Sequence, residues 1–89
     1  MNIEYFANDK YRVLSCMAER QISVNGNMVI KLSQQEIADM VQLSKVKVNG
    51  IISELKADGF LIQQSSKGKY SLTDKARTML EKCKERLNG

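Results

Sequence analysis

Leu32-Ser33-Gln34-Gln35-Glu36-Ile37-Ala38-Asp39-Met40-Val41-Gln42-Leu43-Ser44-Lys45-Val46-Lys47-Val48-Asn49-Gly50-Ile51-Ile52-Ser53-Glu54-Leu55 holds two helix starts eleven residues apart. Ser33 and Glu36 form a capping box: the serine hydroxyl accepts from an orphan backbone amide, and the carboxylate reaches back to the cap's own N–H. Ile37, Ala38 and Val41 then fall on one inward face, Gln42-Leu43 makes a break, and Ser44 supplies a second cap. The second helix carries Val48, Ile51, Ile52 and Leu55 on one buried stripe and stops at Gly59, a residue suited to a left-handed position after a helix. Two short helices joined by a tight turn follow. The face of the second helix opposite its stripe is small, polar or basic: Ser44, Lys45, Val46, Lys47, Asn49, Gly50 and Ser53.

Upstream, Asn8 can cap a helix running to about Gln21, with Tyr11, Leu14, Met17 and Ala18 on one face. Asn25-Gly26-Asn27 signals a turn, and Met28-Val29-Ile30-Lys31-Leu32 reads as a short strand dense in branched apolar residues. Downstream, Phe60-Leu61-Ile62-Gln63-Gln64 and Tyr70-Ser71-Leu72 alternate as two strands around Ser65-Ser66-Lys67-Gly68-Lys69, a polar loop with the glycine a hairpin needs. Thr73 caps a last helix with Ala76, Met79, Leu80, Cys83 and Leu87 on one face. Its many lysines, arginines and glutamates read as a solvated surface with pairs one turn apart.

The 89 residues suit one domain, and at 43% hydrophobic and 27% charged the chain has an ordinary globular balance. A net charge of +4 favours a polyanionic partner. The chain has no histidine and only two cysteines, Cys16 and Cys83, which excludes histidine-based catalysis and a complete structural zinc site. Both cysteines fall on apolar stripes and read as small buried hydrophobes in a reducing compartment, with a redox-sensing thiol pair as the alternative. Asp9, Asp39 and Asp74 sit near helix starts, where helix dipoles account for them, so neither an enzyme nor a cofactor or metal is expected. No stretch approaches the roughly 20 apolar residues that cross a bilayer, and no basic segment followed by an apolar run opens the chain. A cytoplasmic location is expected.

The run from Leu32 to Leu55 resembles the helix-turn-helix of bacterial winged-helix regulators, in particular the Crp/Fnr-type DNA-binding domain and the MarR family. The likeness continues through Gly59-Phe60-Leu61-Ile62 and, with the wing, covers roughly residues 8 to 74. It implies an α+β, mainly α, winged helix-turn-helix in the order helix, strand, helix, helix, strand, strand, helix. The expected organisation is a single domain over 1–89, with the helix-turn-helix at 33–58, the wing at 60–72 and the C-terminal helix at 74–88. A small Ala38 lets the two helix backbones approach, while Ile37, Val41, Leu43, Val48 and Ile51 fill the wedge between them. One departure stands out: many members place glycine in the turn, and this chain has Gln42, at a cost of about 1 kcal/mol for a left-handed backbone.

By that resemblance the helix beginning at Ser44 lies in the major groove of double-stranded DNA. Between Met40 and Ser53 there are two lysines and no acid, which suits the phosphate-facing N-terminal end of such a helix. The implied DNA-binding residues are Ser44, Lys45, Val46, Lys47, Asn49, Gly50 and Ser53, with Lys67 and Lys69 from the wing. Lys45 and Asn49 are placed at base edges, Val46 at a thymine methyl and Ser44 and Lys47 at phosphates, with Gly50 admitting close backbone approach. One such domain buries little DNA surface, so a homodimer reading two half-sites is expected. Met79, Leu80, Cys83 and Leu87 form the obvious seam, with or without Tyr5, Phe6 and the first helix; equally, they close the protomer's own core against that helix. The simplest implied role is a repressor that occludes a promoter. A DNA-binding component of replication or plasmid maintenance would use the same surface, and a protein-interaction module is the reading from another class.

Overall fold

The computed structural model describes residues 9–65 and 69–88. In chain order the elements are α1 (Asp9–Glu19), β1 (Ile22–Val24), β2 (Asn27–Lys31), α2 (Gln34–Val41), α3 (Lys45–Ala57), β3 (Leu61–Ser65), β4 (Lys69–Leu72) and α4 (Asp74–Asn88). The expected order is present with one strand added. Asn25 (φ 53°) and Gly26 (φ 83°) are both left-handed, as a two-residue hairpin turn requires, and they fold Ile22–Val24 back onto β2 with Val24 opposite Asn27. The first helix ends at Glu19, two residues before Gln21. Asn8, expected as its cap, lies outside the described residues, as do Tyr5 and Phe6.

The helix pair is built by local chemistry. Glu36 N donates to Ser33 Oγ at 3.0 Å and Ser33 N donates to Glu36 Oε1 at 3.0 Å, so both halves of the capping box are made. Gln42 takes the left-handed conformation (φ 60°, ψ 45°), which lets Leu43 N donate to the Ala38 carbonyl at 3.0 Å and turns the chain into α3. The Arg12 guanidinium donates to the Val41 carbonyl, satisfying an end group of α2 that the helix itself leaves open. Ser44 caps α3 by accepting from Lys47 N at 3.1 Å. At the other end Gly59 N donates to the Lys56 carbonyl and Phe60 N to the Leu55 carbonyl, the paired bonds of a Schellman motif.

The four strands form one antiparallel sheet in the order β1-β2-β4-β3, with a register shift in β3 between Gln63 and Ser65. Ile30, Leu61, Tyr70 and Leu72 from the sheet join Val13, Leu14 and Met17 of α1 with the inward residues of α2 and α3 in a single core. Ile37, Val48 and Ile52 have no exposed surface, while Leu43 is half-buried against the same cluster. At the junction with α4, Thr73 Oγ1 donates to the Gly59 carbonyl and accepts from Ala76 N, and Lys75 sits 4.8 Å from the centre of the Phe60 ring. Ala76 is fully buried, and Met79 and Leu80 pack half-buried against the core. Part of the C-terminal stripe is thus used inside the protomer. The side chains of Cys83 and Leu87 lie outside the described residues.

Candidate nucleic-acid interface

Because Val48, Ile51, Ile52 and Leu55 fix the rotation of α3 against the core, its opposite face points to solvent. Ser44, Lys45, Val46, Lys47, Asn49, Gly50 and Ser53 are all exposed. Val46 is 83% exposed, the most exposed large hydrophobic side chain among the described residues. Open space surrounds the position a Cβ would take at Gly50, so no contact among the described residues requires glycine there. The first turn of α3 has no acid, leaving its unpaired amides and dipole free to favour an anion.

The cations differ in how they are held. Lys45 makes no hydrogen bond or ion pair among the described residues. Lys47 Nζ reaches back 2.8 Å to Asp9 Oδ2 at the start of α1. The hydrogen bond from Lys47 holds the Asp9 carboxyl below the ordinary carboxylate value; partial burial opposes this, and the charges of Lys47 and Arg12 add to it. The acids at the far end of α3 are occupied as well, because Lys10 Nζ lies 3.2 Å from both Glu54 Oε2 and Asp58 Oδ2. The N-terminal half of the exposed face is left electropositive. On the hairpin, Lys69 of β4 is half-buried and stands directly opposite Lys31 of β2, a like-charged pair that an anion would stabilise. Lys67 lies outside the described residues.

Asn49 is not a free side chain. Its Nδ2 donates to Gln34 Oε1 at 2.8 Å, and Gln34 Nε2 donates to the Tyr70 hydroxyl at 3.4 Å. Gln34, Lys31 and Asp9 thus belong to this surface, and sequence reasoning missed all three. Nothing local marks them; they reach α3 only through packing of α1, α2 and the sheet. Among the described residues no group of three or more His, Cys, Asp or Glu side chains is placed to hold a metal ion, and no helix is long and apolar enough to cross a membrane.

A capped helix pair at a tight left-handed turn, followed by an antiparallel hairpin against the same core, is a winged helix-turn-helix DNA-binding domain. The chain belongs to the Crp-like helix-turn-helix domain family, whose model matches residues 11–81. Sequence comparison finds no match among curated proteins. Among solved structures the chain is similar to a transcriptional regulator of the CRP/FNR family from Thermus thermophilus, with 26% identity over 92% of this chain and 44% of that one and a TM-score of 0.69. It is also similar to TubR of the Bacillus thuringiensis serovar israelensis plasmid pBtoxis, solved bound to 24 base pairs of tubC: 27% identity, 97% of this chain, 96% of TubR, TM-score 0.66. The CO-sensing protein of R. rubrum, 15% identical over 83% of this chain and 37% of that one, shares the fold with a TM-score of 0.68. The chain therefore spans less than half the length of these two sensor and regulator proteins, and nearly all of TubR.

Proposed function

We propose that this protein binds double-stranded DNA in a sequence-specific manner by setting the N-terminal half of α3 into the major groove. Lys45 and Asn49 meet base edges, Val46 meets a thymine methyl, and Ser44 and Lys47 hold phosphates. Gly50 and Ser53 let the helix approach closely, and Lys67 and Lys69 of the wing contact the flanking backbone. The observation that carries this reading is the surface of α3 itself: an exposed, acid-free helix start bearing an 83% exposed valine and a lysine with no ion pair among the described residues. Double-stranded DNA as partner agrees with the family and with TubR, whose structure holds a DNA duplex.

The protein acts as a homodimer on two half-sites about one helical turn apart, since one such domain covers too little DNA for tight specific binding. Its seam is the surface of α4 carrying Met79, Leu80, Cys83 and Leu87, together with α1. Promoter occlusion is the simplest role. The likeness to TubR over 97% of this chain and 96% of that one favours a second role, DNA binding in plasmid segregation, through the same surface.

Selection of bound fragments from random duplex DNA at physiological salt tests the proposal. The expected result is a palindromic consensus, with Lys45→Ala relaxing preference at one position of each half-site. Absence of enrichment would contradict it.

A further inference from the structure

Among the proposed base-reading side chains, Asn49 alone arrives with its hydrogen-bonding pattern already divided. A carboxamide offers two N–H donors and an acceptor oxygen. In this protein one donor is taken: Asn49 Nδ2 donates to Gln34 Oε1 at 2.8 Å, and Gln34 is anchored in turn by donating from Nε2 to the hydroxyl of Tyr70, a residue only 1% exposed. What remains toward solvent is one acceptor, Oδ1, and one N–H.

We propose that Gln34 is a positioning residue that holds the Asn49 amide through the hydrogen bond from Nδ2 to Gln34 Oε1, and that Asn49 thereby reads adenine. The inference rests on α3 lying in the major groove as set out above. Adenine shows an N6 amino donor beside the N7 acceptor at the major-groove edge, which the remaining Oδ1 and N–H of Asn49 match one to one. Guanine shows two acceptors, O6 and N7, and needs two donors. Asn49 would present two donors only if both amides were reversed together, with Gln34 Nε2 donating to Asn49 Oδ1 and the Tyr70 hydroxyl, which can donate or accept, donating to Gln34 Oε1. The polarity of the pair is therefore the base choice.

The test measures binding of the selected duplex, and of duplexes with each alternative base pair at the position whose preference is lost in Asn49→Ala. In the native protein adenine is expected there by about tenfold over guanine. Gln34→Leu should reduce that ratio to about threefold or less. It should leave preferences at other positions and the slope of log affinity against log salt unchanged. Gln34→Glu keeps an acceptor for Asn49 Nδ2, so it should retain the adenine preference while weakening binding to every duplex through its added charge. In Gln34→Leu/Asn49→Ala the ratio at that position should equal that of Asn49→Ala alone.

A guanine preference in the native protein, an undiminished adenine preference in Gln34→Leu, or loss of that preference in Gln34→Glu would overturn the assignment while leaving α3 in the groove. A further loss in the double variant at that position would show Gln34 touching the base itself, and would overturn the positioning role. If Asn49→Ala altered no position, Asn49 would not read a base and the assignment would fail, whereas the placement of α3 would fail only if Lys45→Ala were silent too and no consensus were selected.

Discussion

Gly50 separates the needs of the fold from those of the surface more cleanly than any other residue. It lies in the middle of α3, where glycine costs about 0.5–1 kcal/mol relative to alanine, and the space around it is open. Gly50→Ala is expected to raise stability by about 0.5–1 kcal/mol in urea denaturation and to weaken DNA binding several-fold, because the added methyl stands between the helix and the groove. A variant that gained stability and bound DNA as well as the native protein would show that Gly50 does not face the duplex. Lys47 illustrates the opposite arrangement. The lowered Asp9 carboxyl is fully charged at neutral pH, so a phosphate must draw Lys47 away from an intact ion pair at 2.8 Å. The outward residues of α3 were legible in the sequence because a four-residue apolar stripe defines the helix face. Their partners Asp9 and Gln34 were not, because a contact across 38 or 15 positions of chain leaves no local pattern.

At the scale of elements, what the sequence announces best are helix ends. Ser33 with Glu36, Ser44, Gly59 and Thr73 act on backbone groups within a few residues, so their effect can be read without knowing the fold. The turn between α2 and α3 is the exception with a measurable consequence. Gln42 holds a left-handed backbone at φ 60° with an exposed side chain. Gln42→Gly should therefore raise stability by about 0.5–1 kcal/mol with no change in the denaturant slope, as relief of the Cβ clash outweighs the entropy that glycine adds to the unfolded chain. A loss of stability would mean that the glutamine side chain supports the turn. Strand β1 is the element the sequence reading left out. Ile22-Ser23-Val24 is too short for a period to declare itself, and its strand character comes from β2, to which the Asn25-Gly26 turn returns it. The turn was legible; the strand it implied on its upstream side was not.

For the whole molecule, the net charge of +4 matters less than where it lies. Lys10 occupies Glu54 and Asp58 at the far end of α3, Arg12 and Lys47 flank Asp9, and Lys31 and Lys69 face each other on the sheet, so among the described residues Lys45 at the acid-free start of α3 and the Lys31–Lys69 pair have no acidic partner. Element order and cap positions were enough to place this face from sequence. Its division into tethered and untethered side chains came only from tertiary packing. The most direct measurement is residue-by-residue mapping of backbone amide resonances as a duplex bearing the selected site is added to the full chain. The largest changes are expected on residues 44–53, with further changes around Lys69, while the core residues of α1 stay in place. Changes concentrated on α4 or on the outer strand β1, with residues 44–53 silent, would contradict this expectation.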